Sequence, residues 1–183
     1  MNKEEMIDVL DENGNKTGEI VSRSEVHKRG LWHRAIIVAI INENNQILVQ
    51  QRSADKDKNA NMWDISVAGH ISTGQDSLSA AAREINEEVS VNLGYNVDIK
   101  DFRFMFSFRR EQKFFDDFTE RLFYDFFILR QDGLREDKIK FQESEVQAIK
   151  FVDVNELNEM HEQKLLVDRD EYLDELLAYL FRV

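Results

Sequence analysis

The chain contains no cysteine, no proline and only 7 glycines in 183 residues. Without cysteine there are no disulfides, no thiolate metal sites and no cysteine nucleophile. Proline's absence is unusual for a chain with this many turns, and nothing in the sequence explains it. No apolar run approaches the ~20 residues that span a bilayer. The opening Met1-Asn2-Lys3-Glu4-Glu5 is too acidic and polar for a secretory or transit signal, so a cytoplasmic location is expected. Basic residues are also scarce: 24 Lys and Arg stand against 36 Asp and Glu, a net charge of −12. Such a balance argues against binding long nucleic acids, which relies on clustered positive charge. A small anionic substrate remains compatible if divalent cations neutralise it locally, and the acidic surface also serves solubility.

What is present suits one soluble globular domain: 42% hydrophobic and 33% charged residues, with no repeat or linker. Residues 1–30 read as a hairpin extension, with Ile7–Leu10 and Glu19–Val21 flanking a turn-rich 11–15. Ala35–Ile41 and Ile47–Val49 form a stronger hairpin, followed by a strand over Met62–Ala68. Further strands are expected at Phe102–Phe108, Arg121–Leu129 and Ala148–Val152, and the C-terminal stretch 154–183 reads as helical. Interleaved strands and helices predict a mixed sheet with helices on both faces. Phe102, Phe104, Phe106 and Phe108 alternate, which predicts one shared, core-facing side of a strand. Phe114, Phe115 and Phe118 are less regular and are expected in a loop, where they could stack on a nucleobase or close a sheet edge.

The segment after Asp76, a good N-cap, predicts a helix to about Val89. Leu78, Ala81, Ala82, Ile85 and Val89 fall on one stripe at ~100° per residue. Glu84, Glu87 and Glu88 share another arc. Like charges at i,i+4 repel, and Arg83, four residues before Glu87, offsets only part of that. A solvated acidic face is one reading; a hard divalent cation with oxygen ligands is the other. The wider pattern favours the cation. Gly69 precedes Arg83 by fourteen residues and Arg83-Glu84-Ile85-Asn86-Glu87-Glu88 is unbroken. With average residue usage that combination arises by chance in on the order of 1 in 10,000 chains of this length.

This segment resembles the Nudix box, G-x5-E-x7-R-E-U-x-E-E-x-G-U with U a bulky aliphatic, and matches it at Gly69, Arg83, Glu84, Ile85, Glu87, Glu88 and Val91. Gln75 stands where that pattern has its first glutamate, and Ser90 where it has its last glycine. The resemblance implies an α/β/α sandwich and hydrolysis of a diphosphate linked to another moiety, with Mg²⁺ or Mn²⁺ as cofactor. It implies metal ligation by Glu84, Glu87, Glu88 and the Gly69 carbonyl, with Glu84 as ligand or general base and Arg83 orienting them. Gln75 can accept a hydrogen bond from Arg83 without charge assistance. Arg109 and Arg110 are candidates for bidentate diphosphate contact.

Gly30-Leu31-Trp32-His33-Arg34-Ala35, Trp63-Asp64-Ile65-Ser66 and Ala68-Gly69-His70 also resemble segments of type I isopentenyl-diphosphate isomerases and the hydrolases nearest them. Those isomerases relay a proton through a cysteine at the position of Ala68, and alanine can neither donate nor accept one. Isomerase chemistry is therefore disfavoured. The same resemblance implies that His33 and His70 could converge on a second metal with Glu120 as carboxylate, while His27 fits that spacing less well. A binding domain that has lost catalysis is a third reading, suggested only by Gln75. The N-terminal hairpin could also extend a sheet edge or make a homodimer contact.

Overall fold

The computed structural model describes residues 4–56, 58–89, 98–141, 144–168 and 170–181, without the side chains of 88, 89, 170, 171, 180 and 181. Ser90 and Val91 of the motif, and the Glu88 side chain, lie outside the described residues.

The hairpin β1 (Met6–Leu10) and β2 (Lys16–Ser22) is antiparallel. Asp11 closes its turn by accepting from Asn13 N at 2.8 Å and Asn15 N at 2.9 Å. A short helix not anticipated from sequence, α1 (Arg23–Lys28), follows, capped by Ser22. The central strand β3 (Trp32–Ile41) comes next, then β4 (Ile47–Arg52), which touches it only at Ile41↔Ile47. The two strands then part. The single strand expected over Met62–Ala68 is in fact two: β5 (Trp63–Ile65) pairs with β4, and β6 (Val67–His70) crosses to β3. Ser66 makes the crossing. Its Oγ donates to Leu48 O on β4 at 2.6 Å and accepts from Ile40 N on β3 at 2.9 Å, so a buried hydroxyl replaces the missing ladder bonds.

Helix α2 (Ser77–Glu84) starts as expected at Asp76, whose carboxylate accepts from Ser79 N at 2.8 Å. It does not remain α-helical to Val89. Ile85–Val89 is a π-helical turn, a wider winding common at functional sites. A long hairpin, β7 (Phe102–Phe115) and β8 (Phe118–Arg130), brings β8 parallel to β3 from Trp32↔Arg121 to Ile41↔Arg130. Then β9 (Val146–Val152) pairs with β4, and α3 (Val154–Glu162) and α4 (Asp170–Phe181) follow.

Alternation along β3 explains the layers. Ala35, Ile37, Ala39 and Ile41 pack with Leu157 and Met160 of α3 and Leu173 and Leu176 of α4. Ile36, Val38 and Ile40 face Ala80, Ala81 and Ile85. The result is the expected α/β/α sandwich around a mixed sheet. The hairpin extends the edge of that sheet, joining β3 through Leu10↔Trp32. It also holds the loop after β6: Thr73 N donates to Met6 O and Thr73 Oγ1 to Asp8, at 2.8 and 2.7 Å.

The four alternating phenylalanines do not share a face. A bulge between Phe104 and Phe106 shifts the register by one, and a one-residue shift reverses the side-chain faces. Phe102 and Phe104 therefore meet Phe127 on the α2 side, while Phe106 and Phe108 stack on Phe126 and Tyr124 on the other. Nor is Phe114 in a loop, since β7 runs through Phe115. Among the described residues no helix is long and apolar enough to cross a membrane.

Candidate active site

Gly69 lies on β6 where α2 crosses it. A Cβ built at Gly69 would overlap the Glu84 side chain, reaching 2.6 Å from its Cγ and closer to its carboxylate. Glycine is required there for close approach rather than for unusual backbone angles. Glu84 is thereby buried, and burial pushes its carboxyl up to about 7, only partly opposed by the Arg83 charge. Arg83 is the hub of the segment. Its Nη2 lies 2.8 Å from Glu84 Oε1 and donates to His70 O at 3.0 Å. Its Nη1 donates to the exposed Glu87 at 3.0 Å, and its Nε to Gln75 Oε1 at 3.4 Å. Gln75 thus occupies the neutral end of a three-sided clamp.

Three histidines from three elements, α1, β3 and β6, meet beside Gly69. His27, His33 and His70 each offer a ring nitrogen, all within 4.8 Å of one another. His27 and His70 Nε2 are 3.3 Å apart, close to the spacing of two ligands ~2.1 Å from one ion. His33 Nδ1 donates to Leu31 O at 2.9 Å, which fixes the tautomer and leaves Nε2 as a bare lone pair, buried and without a hydrogen-bond partner among the described residues. Burial holds His27 and His33 at about 4 and His70 well below the ordinary imidazole range, so all three are neutral donors at pH 7. His27, set aside on spacing, belongs to the group because α1 carries it back over the sheet. Phe118 stacks on its ring at 4.5 Å.

Glu84 and His70 open onto one cavity of about 190 Å³. Glu120 lines it too, ion-paired with Lys58. Arg23, Arg52, Lys56 and Lys58 line the same space, a local reversal of the acidic surface. Arg109 and Arg110 are not brought to it. Alternation sends Arg109 to the far face of β7, over the Trp32 ring at 5.1 Å, whereas Arg110 shares the face of the cavity-lining Gln112 but is tied to Asp168 at 3.2 Å. These cations, one on α1 and three from the end of β4 into the loop after it, carried no periodic signal that could have identified them.

The NUDIX domain family model matches residues 31–176. Over 103 residues the chain is 48% identical to Nudix hydrolase 3 of Arabidopsis thaliana, a match covering 56% of this chain and only 13% of that protein. It is 37% identical over 150 residues to an uncharacterized Nudix hydrolase of Listeria monocytogenes, covering 82% and 80% of the two chains. It is also 36% identical over 83 residues to an isopentenyl-diphosphate Delta-isomerase of Pectobacterium atrosepticum, 45% and 46% of each. In fold it is similar to a crystal structure of a Deinococcus radiodurans protein, with TM-score 0.70 at 20% identity over 97% of this chain and 99% of that one.

Proposed function

Because the chain belongs to the Nudix domain family, we propose that it is a divalent-cation-dependent hydrolase cleaving the diphosphate linkage of a nucleoside diphosphate or a related diphosphate compound. The observation that carries this reading is the Glu84 carboxylate, buried against Gly69 and clamped by Arg83 at the edge of a cation-lined cavity.

Glu84, Glu87, Glu88 and the Gly69 carbonyl would hold Mg²⁺ or Mn²⁺. The donor set fits, being all oxygen, and a buried carboxylate with raised proton affinity is stabilised when a cation replaces the proton. His27, His33 and His70 would hold a second ion with Glu120 nearby. The orphaned Nε2 of His33 supports that site, since a buried lone pair without a donor is otherwise costly. Bound there, divalent ions supply Lewis-acid neutralisation of the diphosphate and lower the proton affinity of water.

The chain's own residues then have separable roles. Arg23, Arg52, Lys56 and Lys58 bind phosphate oxygens entering the cavity. Arg83 fixes the carboxylates on α2 and on the π turn. Glu84, once ionised, accepts a proton from the attacking water. Ala68 lines the same cavity and has no proton to move, so this chain resembles the isomerase relative without the residue its proton relay needs.

The test is release of phosphate or nucleotide from a panel of diphosphate compounds with Mg²⁺ and Mn²⁺, including isopentenyl diphosphate. Hydrolysis that falls at least ~100-fold in Glu87→Gln and Glu88→Gln is expected, with no isomerised alkene. Unchanged hydrolysis in both variants would show the assignment to be wrong. Tight nucleotide binding with no turnover would favour a binding domain instead.

A further inference from the structure

Lys58 and Glu120 form an ion pair inside the cavity, with side chains only 19% and 17% exposed. The Lys58 ammonium also lies 4.0 Å from the centre of the Phe118 ring and 4.6 Å from that of Phe114. Phe118 is the ring that stacks on His27, so the ammonium is held one aromatic thickness from the histidine trio. Two other cations of the cavity have carboxylates of their own: Lys56 pairs with Glu145, and Arg23 with Glu5 at 3.5 Å. Lys58 thus pairs with Glu120, whose negative charge is felt by His27 and His33. An imidazole ligates as its neutral form, so three of them bring no charge to offset a divalent ion. Such an ion would lack the charge of Glu120 while Lys58 holds it, and would be repelled by Lys58 in a partly desolvated space.

We propose that Lys58 is a ligand-responsive positioning residue: it holds Glu120 away from the histidine trio until a phosphate-bearing ligand draws its ammonium off, so that divalent ion and phosphate load the cavity cooperatively. This rests on the reading of His27, His33 and His70 as an ion site. The stem of Lys58 allows the movement, because four rotatable carbons let the ammonium swing toward an anion in the same cavity. The two aromatic faces hold it by cation–π attraction, which uses no hydrogen bond, so the bond to Glu120 is the one that a phosphate oxygen must replace. Coupling of this kind is reciprocal: whatever factor phosphate adds to ion affinity, the ion adds to phosphate affinity.

The experiment is a Mn²⁺ titration of the full chain, free Mn²⁺ being counted by electron paramagnetic resonance. It is run with and without inorganic phosphate at constant ionic strength, against a protein-free blank for Mn²⁺–phosphate association. Wild type, Lys58→Met, Lys58→Arg and His70→Gln are compared, with thermal unfolding to verify that each is folded. Lys58→Met keeps an unbranched chain between the rings and removes the charge. It is expected to bind Mn²⁺ at least tenfold more tightly than wild type without phosphate, and to gain nothing from phosphate. Lys58→Arg keeps the charge and is expected to follow wild type, whose affinity rises with phosphate. If one equivalent of bound Mn²⁺ is lost in His70→Gln but that equivalent binds with unchanged or weaker affinity in Lys58→Met, the role of Lys58 is overturned while the ion site stands. If His70→Gln binds Mn²⁺ at the same sites and affinities as wild type, the ion site and the role of Lys58 fall together.

Discussion

Gly69 and Glu84 come so close that position 69 has no room for a single added carbon. Gly69→Ala must therefore displace the Glu84 carboxylate, since the alternative is to part β6 from β3. Moving a catalytic group by about 1 Å costs on the order of 100-fold in rate. A loss of that size in hydrolysis, with a cooperative unfolding transition retained, is the expected result. An alanine variant with wild-type rates would mean that Glu84 need not sit where it does.

Gln75 offers the opposite experiment, a gain. Arg83 Nε reaches its amide oxygen at 3.4 Å, a long bond to a neutral acceptor. Gln75→Glu makes it charge-assisted, and bonds to charged groups exceed neutral ones by about 0.5–1 kcal/mol. Arg83 is 27% exposed, which screens part of that gain, so a rise of about 1–3 °C in Tm is expected by calorimetry. A fall in Tm would show that a further carboxylate beside Glu84 and Glu87 outweighs the stronger clamp.

The half of the site on α2 was legible because its parts are local. Asp76, Arg83, Glu84 and Glu87 lie within four helical turns, and spacing of three or four residues shows which side chains neighbour one another. The burial of Glu84 was not legible, since it depends on Gly69 arriving from another strand. The trio was half visible. His33 and His70 stood out by resemblance, but His27 comes from α1, a six-residue helix too short to show periodicity. The phenylalanine stripe misled for a related reason: the bulge beside Phe104 is set by pairing with β8, and no alternation within β7 reveals it. Ser66 likewise reads as an ordinary strand residue until β3 and β4 are seen to part on either side of it.

Acid should destabilise the ion-free protein through its histidines. His27 and His33 are held at about 4 when folded, against 6.5 for an unperturbed imidazole. Between those values the unfolded chain binds more protons, so stability is lost as pH falls from 6.5 toward 4, with a ceiling of about 3 kcal/mol per group. Glu84 acts with the opposite sign. Its folded value of about 7 lies above 4.5, so the folded chain binds more protons in that window and stability falls as pH rises through it. Two sets of melts in EDTA separate the effects. His27→Gln/His33→Gln should flatten the loss of Tm between pH 6.5 and 5, and Glu84→Gln should raise Tm at pH 8 but not at pH 4. Parallel curves for wild type and both variants would contradict the burial argument.

Asp125 joins three parts of the fold that the site depends on. Buried on β8, it accepts from Arg34 Nη1 on β3 at 2.7 Å, from Ser107 Oγ on β7 at 2.5 Å, and from Ser77 Oγ, the first residue of α2. Arg34 is 30% exposed and keeps some hydration, whereas both hydroxyls are partly buried. Asp125→Ala leaves all three donors unpaired, which is expected to cost about 2–3 kcal/mol in urea unfolding, below the range for a fully buried pair. Asp125→Asn retains one carbonyl acceptor and should cost about half as much. The position of Ser77 adds a second consequence. With its first residue released, that end of α2 is held to the sheet by the packing of Leu78, Ala80 and Ala81, and Arg83 and Glu84 sit two turns further along. Hydrolysis by Asp125→Asn should therefore fall more than its stability loss explains when assayed well below its Tm. A change in unfolding free energy under about 0.5 kcal/mol in Asp125→Ala would show that water replaces the carboxylate and that α2 is anchored by its apolar stripe alone.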